Sequence, residues 1–200
     1  MFNQSYPNSL NPASPVAMPQ SFSNDGVVVE KDVYSVKTLD ASTKEYKFFD
    51  KGRAQVGLAE TNLAGQGSMF PSGTGFVARA LCVKIIAPNG ETDLTKISKV
   101  VRALSLSVLS LKIGQNPLND IHGSNFLSTV VANVDTGATS IQSSTNPLNA
   151  VQEYTLAIPV GFEPQADFSW TLSIGDAVDA DFVGFKILVS MKGQEIRKNV

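Results

Sequence analysis

The residues able to do chemistry in this 200-residue chain are few and scattered. The one histidine, His122, stands beside Gly123 with Asp120 two positions before it. A zinc site or a general base would need a second imidazole, a thiolate or an orienting carboxylate at suitable spacing, and Asp120 alone does not make one. A Ser-His-Asp arrangement would have to use this same histidine, and no serine sits in a nucleophile-elbow pattern. Cys82 is the only cysteine, which leaves no intrachain disulfide and no cysteine metal cluster. Inside an apolar run it reads as a buried, inert thiol. Gly65-Gln66-Gly67 and Gly73-Thr74-Gly75 lack the lysine and the strand-turn-helix setting of a phosphate loop, and read as turn glycines. Asp176, Asp179 and Asp181 share one loop and could hold a calcium ion; the plainer reading is a solvated acidic turn. The expectation is therefore a protein that is not an enzyme, with no cofactor, no metal and no small-molecule substrate.

The elements that would have to position a site are strands. Phe168 to Ile174 alternates strictly: Phe168, Trp170, Leu172 and Ile174 on one face, Ser169, Thr171 and Ser173 on the other. Successive strand side chains point to opposite faces, so this segment needs a second layer over Trp170. Strands are also expected over Gly26–Lys37, Lys44–Asp50, Phe76–Ala87, Leu104–Ile113, Phe126–Val134, Tyr154–Val160 and Phe182–Lys192, from β-branched and aromatic enrichment and period-two patterning. In Lys44–Asp50, Tyr46 and Phe48 are expected on one face and Phe49 on the other. Leu104, Leu106 and Val108 alternate out of phase with Leu109, Leu111 and Ile113, which predicts a β-bulge at Val108-Leu109 or a strand covered on both faces.

Between strands, Pro88-Asn89-Gly90 is a turn signal. Thr92 or Asp93 could cap a short helix carrying Leu94, Ile97, Val101 and Leu104 at helical spacing. Six glycines between positions 52 and 75 mark a long irregular connection. Pro117–Asn125 reads as loop, Asp135–Ala150 as an exposed Ser/Thr/Asn-rich excursion, and Gly193–Val200 as a basic tail.

Residues 1–25 carry prolines at 7, 12, 15 and 19 and a single charge, Asp25. Proline removes amide donors, so this is neither an interior strand nor a helix. It reads as an extended arm with Phe2, Tyr6 and Phe22 as anchors for a neighbouring subunit, ahead of a single domain over 26–200. Charged residues make up 17% of the chain, below the ~25% typical of soluble proteins, which suits a surface covered by other subunits or one rich in uncharged polar groups. A net charge of −2 gives no general attraction for nucleic acid. No basic segment precedes an apolar run at the N-terminus, and nowhere do about 18 apolar residues run together. The expectation is a chain without a signal peptide or membrane span, made in a reducing cytoplasm.

Eight strands in about 175 residues, with long excursions and an N-terminal arm, give the pattern of a jelly roll: an all-β, two-sheet antiparallel β-sandwich with one short helix. Three pieces also resemble jelly-roll capsid proteins of tailless icosahedral bacteriophages, including lipid-containing ones. They are Glu60–Gln66 with Phe70-Pro71-Ser72-Gly73 before Phe76-Val77, then Leu109–Gly114, then Ile187–Gly193 running into Ile196-Arg197. The double jelly-roll members of that family need two eight-stranded barrels, and this chain supports one. The resemblance implies a structural virion protein that assembles with copies of itself and with other capsid proteins, and it carries no catalytic residues across.

The contact residues expected on this reading are Phe2, Tyr6, Phe22, Met69, Phe70, Arg197 and Lys198. Beside an internal viral membrane, Lys192, Arg197 and Lys198 would face lipid headgroups. The alternative is a receptor-binding or carbohydrate-binding β-sandwich, with loop aromatics stacking on sugars.

Overall fold

The computed structural model describes residues 26–64, 67–88, 91, 93–126 and 153–198. The expected arm with Phe2, Tyr6 and Phe22 lies outside these residues, as do Asn89, Gly90 and Thr92. So do the expected strand beyond Phe126 and the excursion over Asp135–Ala150.

Eight strands run through the described residues: β1 (Gly26–Thr38), β2 (Glu45–Phe48), β3 (Thr74–Ile86), β4 (Val108–Ile113), β5 (Asn116–His122), β6 (Glu153–Phe162), β7 (Phe168–Ser173) and β8 (Lys186–Lys198). They form two four-stranded sheets, ordered β1-β8-β3-β6 and β2-β7-β4-β5, with every neighbouring pair antiparallel. One apolar cluster draws on both sheets, so the architecture is an all-β sandwich. Trp170 on β7 and Met191 on β8 lie at its centre, both fully buried. The alternation read at Phe168–Ser173 is the burial observed: Phe168, Trp170 and Leu172 are buried and the intervening positions are not.

Helix α1 (Arg53–Val56) is one turn inside the glycine-rich connection. Helix α2 (Leu94–Ser105) starts at Asp93, whose carboxylate accepts from the backbone N–H groups of Thr95 and Lys96 and so satisfies two of the donors a helix start leaves free. Ile97, Val100, Val101 and Leu104 recur at i, i+3, i+4 and i+7, and all are buried against the sandwich.

Several expectations are corrected. The phase slip near Val108-Leu109 is not a bulge but the junction between α2 and β4: helix runs to Ser105, Leu106 is exposed, and the strand begins at Val108. Pro117–Asn125 is not loop. β5 occupies Asn116–His122 at the edge of its sheet, where the missing proline donor leaves one ladder bond unmade without unravelling the strand. Phe126 is a buried turn residue after a 3-10 turn over Gly123–Asn125, not the start of a strand. The last strand begins at Lys186, because Ala180–Phe182 forms a 3-10 turn that leaves Val183 exposed. It continues to Lys198, so most of the expected basic tail is strand.

Phe49 does not face away from Phe48. Its φ of 61° turns the chain just after β2, and both rings are fully buried. In β6, Pro159 lies well inside the strand. Ala78 pairs with Val160 and Ala80 with Thr155, so one β3 residue, Arg79, stands opposite Leu156–Pro159. This irregularity leaves Pro159 without a ladder bond to lose and turns Ile158 outward at 76% exposure.

Candidate interaction surface

β1, β3 and β8 are each 13 residues long, whereas β2 has 4 and β4 and β7 have 6. The first sheet therefore continues past the second. Its inner face is apolar as far as Val33 on β1, Met191 on β8 and Phe76 on β3, and then changes character. Beyond that line it presents Lys31, Glu195, Arg197 and Thr74. The segment Asn62–Ala64 and the residues Phe70-Pro71 flank this end and, with it, line a half-open cavity of about 310 Å³.

Glu195 is the anchor of the cavity. It is 3% exposed, an unusual position for a carboxylate, and it accepts from Lys31 Nζ and, at 2.5 Å, from Arg197 Nε. Both are charge-assisted bonds, which is how a buried carboxylate is made tolerable. The carboxylate lies deepest, with a side chain 4% exposed against 27% for Lys31 and 58% for Arg197, so the two cations point their remaining donors outward from it. The walls are apolar: Val33, Leu63, Ala64, Phe70 and Pro71.

The covering segment is fixed to the edge of β1 by main-chain and side-chain bonds. Val36 N donates to Glu60 O at 2.7 Å, Thr61 Oγ1 to Tyr34 O at 2.7 Å, and Asn62 bridges Tyr34 N and Asp32 O through its amide oxygen and nitrogen. These bonds occupy the β1 edge from Asp32 to Val36. Ahead of them, Val27, Val28 and Val29 are 50%, 48% and 42% exposed in succession, on both faces of the strand. Natural edge strands usually carry charge, proline or a bulge at such a place.

The expected contact residues are not brought together as one patch. Phe70 is corrected: it is 2% exposed and stacks between Phe76 and Phe168 at ring distances of 5.3 and 5.5 Å, so it is a core residue and not a free contact. Met69 beside it is half-buried. Arg197 is exposed and lines the cavity. Lys198 ends β8, and Phe2, Tyr6 and Phe22 lie outside the described residues. Lys192 and Arg197 sit on opposite faces of β8 by strand alternation and are engaged by Glu153 and Glu195, so they do not form a single basic face. Sequence reasoning missed Lys31 and Glu195. The signal was a lone glutamate continuing the inner-face series Ile187, Val189 and Met191.

The other candidate chemistry resolves into structure. Lys99 on α2 donates to both Asp179 and Asp181, which holds the Asp179 carboxyl below its usual range and raises the lysine. Asp176 faces Arg102 at 3.9 Å. His122 Nδ1 lies 2.9 Å from Ser124 Oγ at the start of the 3-10 turn. Cys82 is buried, and desolvation pushes its thiol pKa up, away from nucleophilic thiolate.

Comparison with protein-family models and with curated proteins finds no match to this chain.

Proposed function

We propose that this chain is a structural subunit of an icosahedral shell, a single jelly roll that assembles with copies of itself and with other capsid proteins of a tailless bacteriophage. The observation that carries the reading is the strand order. β1 pairs with β8, β2 with β7, β3 with β6 and β4 with β5. That is the pairing of one long hairpin closed at β4-β5, and wrapping the hairpin around the core deals alternate pairs into the two sheets. Double-sheet jelly rolls of this connectivity recur in viral capsids, lectins and cupins.

Within that set, the low charge, the proline-rich sequence of residues 1–25 with its aromatics and the resemblance to phage capsid proteins favour a shell subunit. The segments behind the resemblance fall on the covering segment over β1 and on β4 and β8. The carbohydrate-binding alternative has less support among the described residues. There the large exposed apolar side chains are aliphatic, from Val27 to Val183, Trp170 is fully buried, and Tyr34 and Tyr154 are only partly exposed.

The test is the mass of the full chain by light scattering across salt and protein concentration, with negative-stain images of each species and a parallel chain lacking residues 1–25. Closed rings or shells from the full chain that vanish on truncation are expected. A monomer under every condition, with saturable binding on a glycan array, would replace this reading with the carbohydrate-binding one.

A further inference from the structure

We infer that the cavity under the overhanging end of the first sheet is a binding site for a carboxylate carried on a short apolar stem. Two cations, Lys31 and Arg197, face one internal carboxylate, Glu195, which leaves the lining with a net positive charge and with donors that Glu195 does not use. Glu195 acts as a positioning residue: buried beneath the two cations, it holds both heads at the cavity by charge-assisted bonds. Ala64 and Pro71, with the buried Val33, Leu63 and Phe70 behind them, supply an apolar wall beside this charge, and the volume of about 310 Å³ holds roughly ten waters' worth of ligand. An apolar concavity with a few convergent polar groups is the usual form of a small-ligand pocket. A bare inorganic anion would leave the wall unused, and a neutral apolar molecule would leave the cations without a counter-charge.

The carboxylate can come from a free organic acid or from an acidic side chain or chain end of a neighbouring copy. The second source rests on the assembly proposed above, and the first does not.

The test is equilibrium dialysis of the full-length protein against radiolabelled hexanoate, with hexanol and inorganic phosphate as competitors. Saturable uptake of about one hexanoate per chain is expected, displaced poorly by either competitor alone. Arg197→Gln and Lys31→Gln should each weaken uptake tenfold or more, while Lys112→Gln, which removes an equal charge from an exposed position on the second sheet outside the lining, should leave it unchanged.

Light scattering on the same samples separates the sources. Uptake per chain that falls with rising protein concentration, with hexanoate lowering the mass, assigns the carboxylate to a neighbouring copy. Uptake independent of concentration at unchanged mass assigns it to a free acid. The inference is overturned by no saturable uptake, by equal loss in the Lys112→Gln chain, or by full displacement with phosphate. Failure of the assembly reading would show separately, as a constant mass in the absence of hexanoate.

Discussion

The indole N–H of Trp170 on β7 points at the sulfur of Met191 on β8, 3.2 Å away, and so joins the two sheets through their fully buried centre. Sulfur is a weak acceptor, but it is polarisable and satisfies a donor that would otherwise be buried with no partner. Trp170→Ala should therefore cost about 3–5 kcal/mol, the usual range for emptying a large aromatic site in a core. Met191→Leu should cost less, about 1–2 kcal/mol, from the orphaned N–H. Urea unfolding of the two variants, followed by circular dichroism, checks the order.

Gly193 lies on β8 where β3 carries the extra residue Arg79, and an added Cβ would stand 1.9 Å from the carbonyl oxygen of Val77. Backbone cannot give by that amount without breaking the β3–β8 ladder. Gly193→Ala should lose soluble folded protein or lower the urea midpoint by the equivalent of several kcal/mol. Gly114→Ala is the comparison: its φ of 58° is strained for alanine, but nothing lies within 4 Å, so its cost should stay near 1 kcal/mol.

Asp93→Ala removes the cap of α2 and leaves the N–H groups of Thr95 and Lys96 without that acceptor. The expected loss is about 1 kcal/mol, recovered in large part by Asp93→Asn or Asp93→Ser. Thermal unfolding of the three variants distinguishes capping from charge.

Asp40 accepts from the hydroxyl and N–H of Thr43 and from Ser42, and these bonds lower its pKa from 3.8 to about 2. A depressed folded-state pKa means that the stabilisation is complete above the unfolded value near 4 and is lost as pH falls through about 2. The urea midpoints of the native chain and of Asp40→Asn should differ by a constant amount above pH 4 and converge between pH 4 and 2. Parallel curves over that window would remove Asp40 from the acid response.

Much of the fold is legible in the chain because sheet burial repeats every second residue and helix burial every three or four. Phe168–Ser173 and Ile97–Val101 carry those periods without competition. Leu104 satisfies both periods at once, which is why the helix-to-strand junction looks like a slipped strand. β5 is hidden by Pro117 and its polar neighbours, since an edge strand needs only its ladder bonds and little apolar content. Phe49 and Ile158 are turned by local backbone geometry that no side-chain pattern encodes. The cavity is the least legible feature: Lys31, Asn62, Phe70 and Glu195 come from four separate stretches, and only the wrapped strand order brings them together.

β8 lies between β1 and β3, so the first sheet has no centre until the last strand arrives. During synthesis β1 leaves the ribosome well before its strand partner β8, which follows on the order of ten seconds later at ordinary elongation rates. Through that interval the valines at 27, 28 and 29 and the β1 edge that β8 will cover stand open to any other extended chain. The long sequence separation of the β1–β8 pair also raises the entropic cost of closing the chain between them, which slows this pairing relative to local contacts. Where many copies are made at once, the yield of native protein should depend on how quickly β8 reaches β1 before a neighbour does.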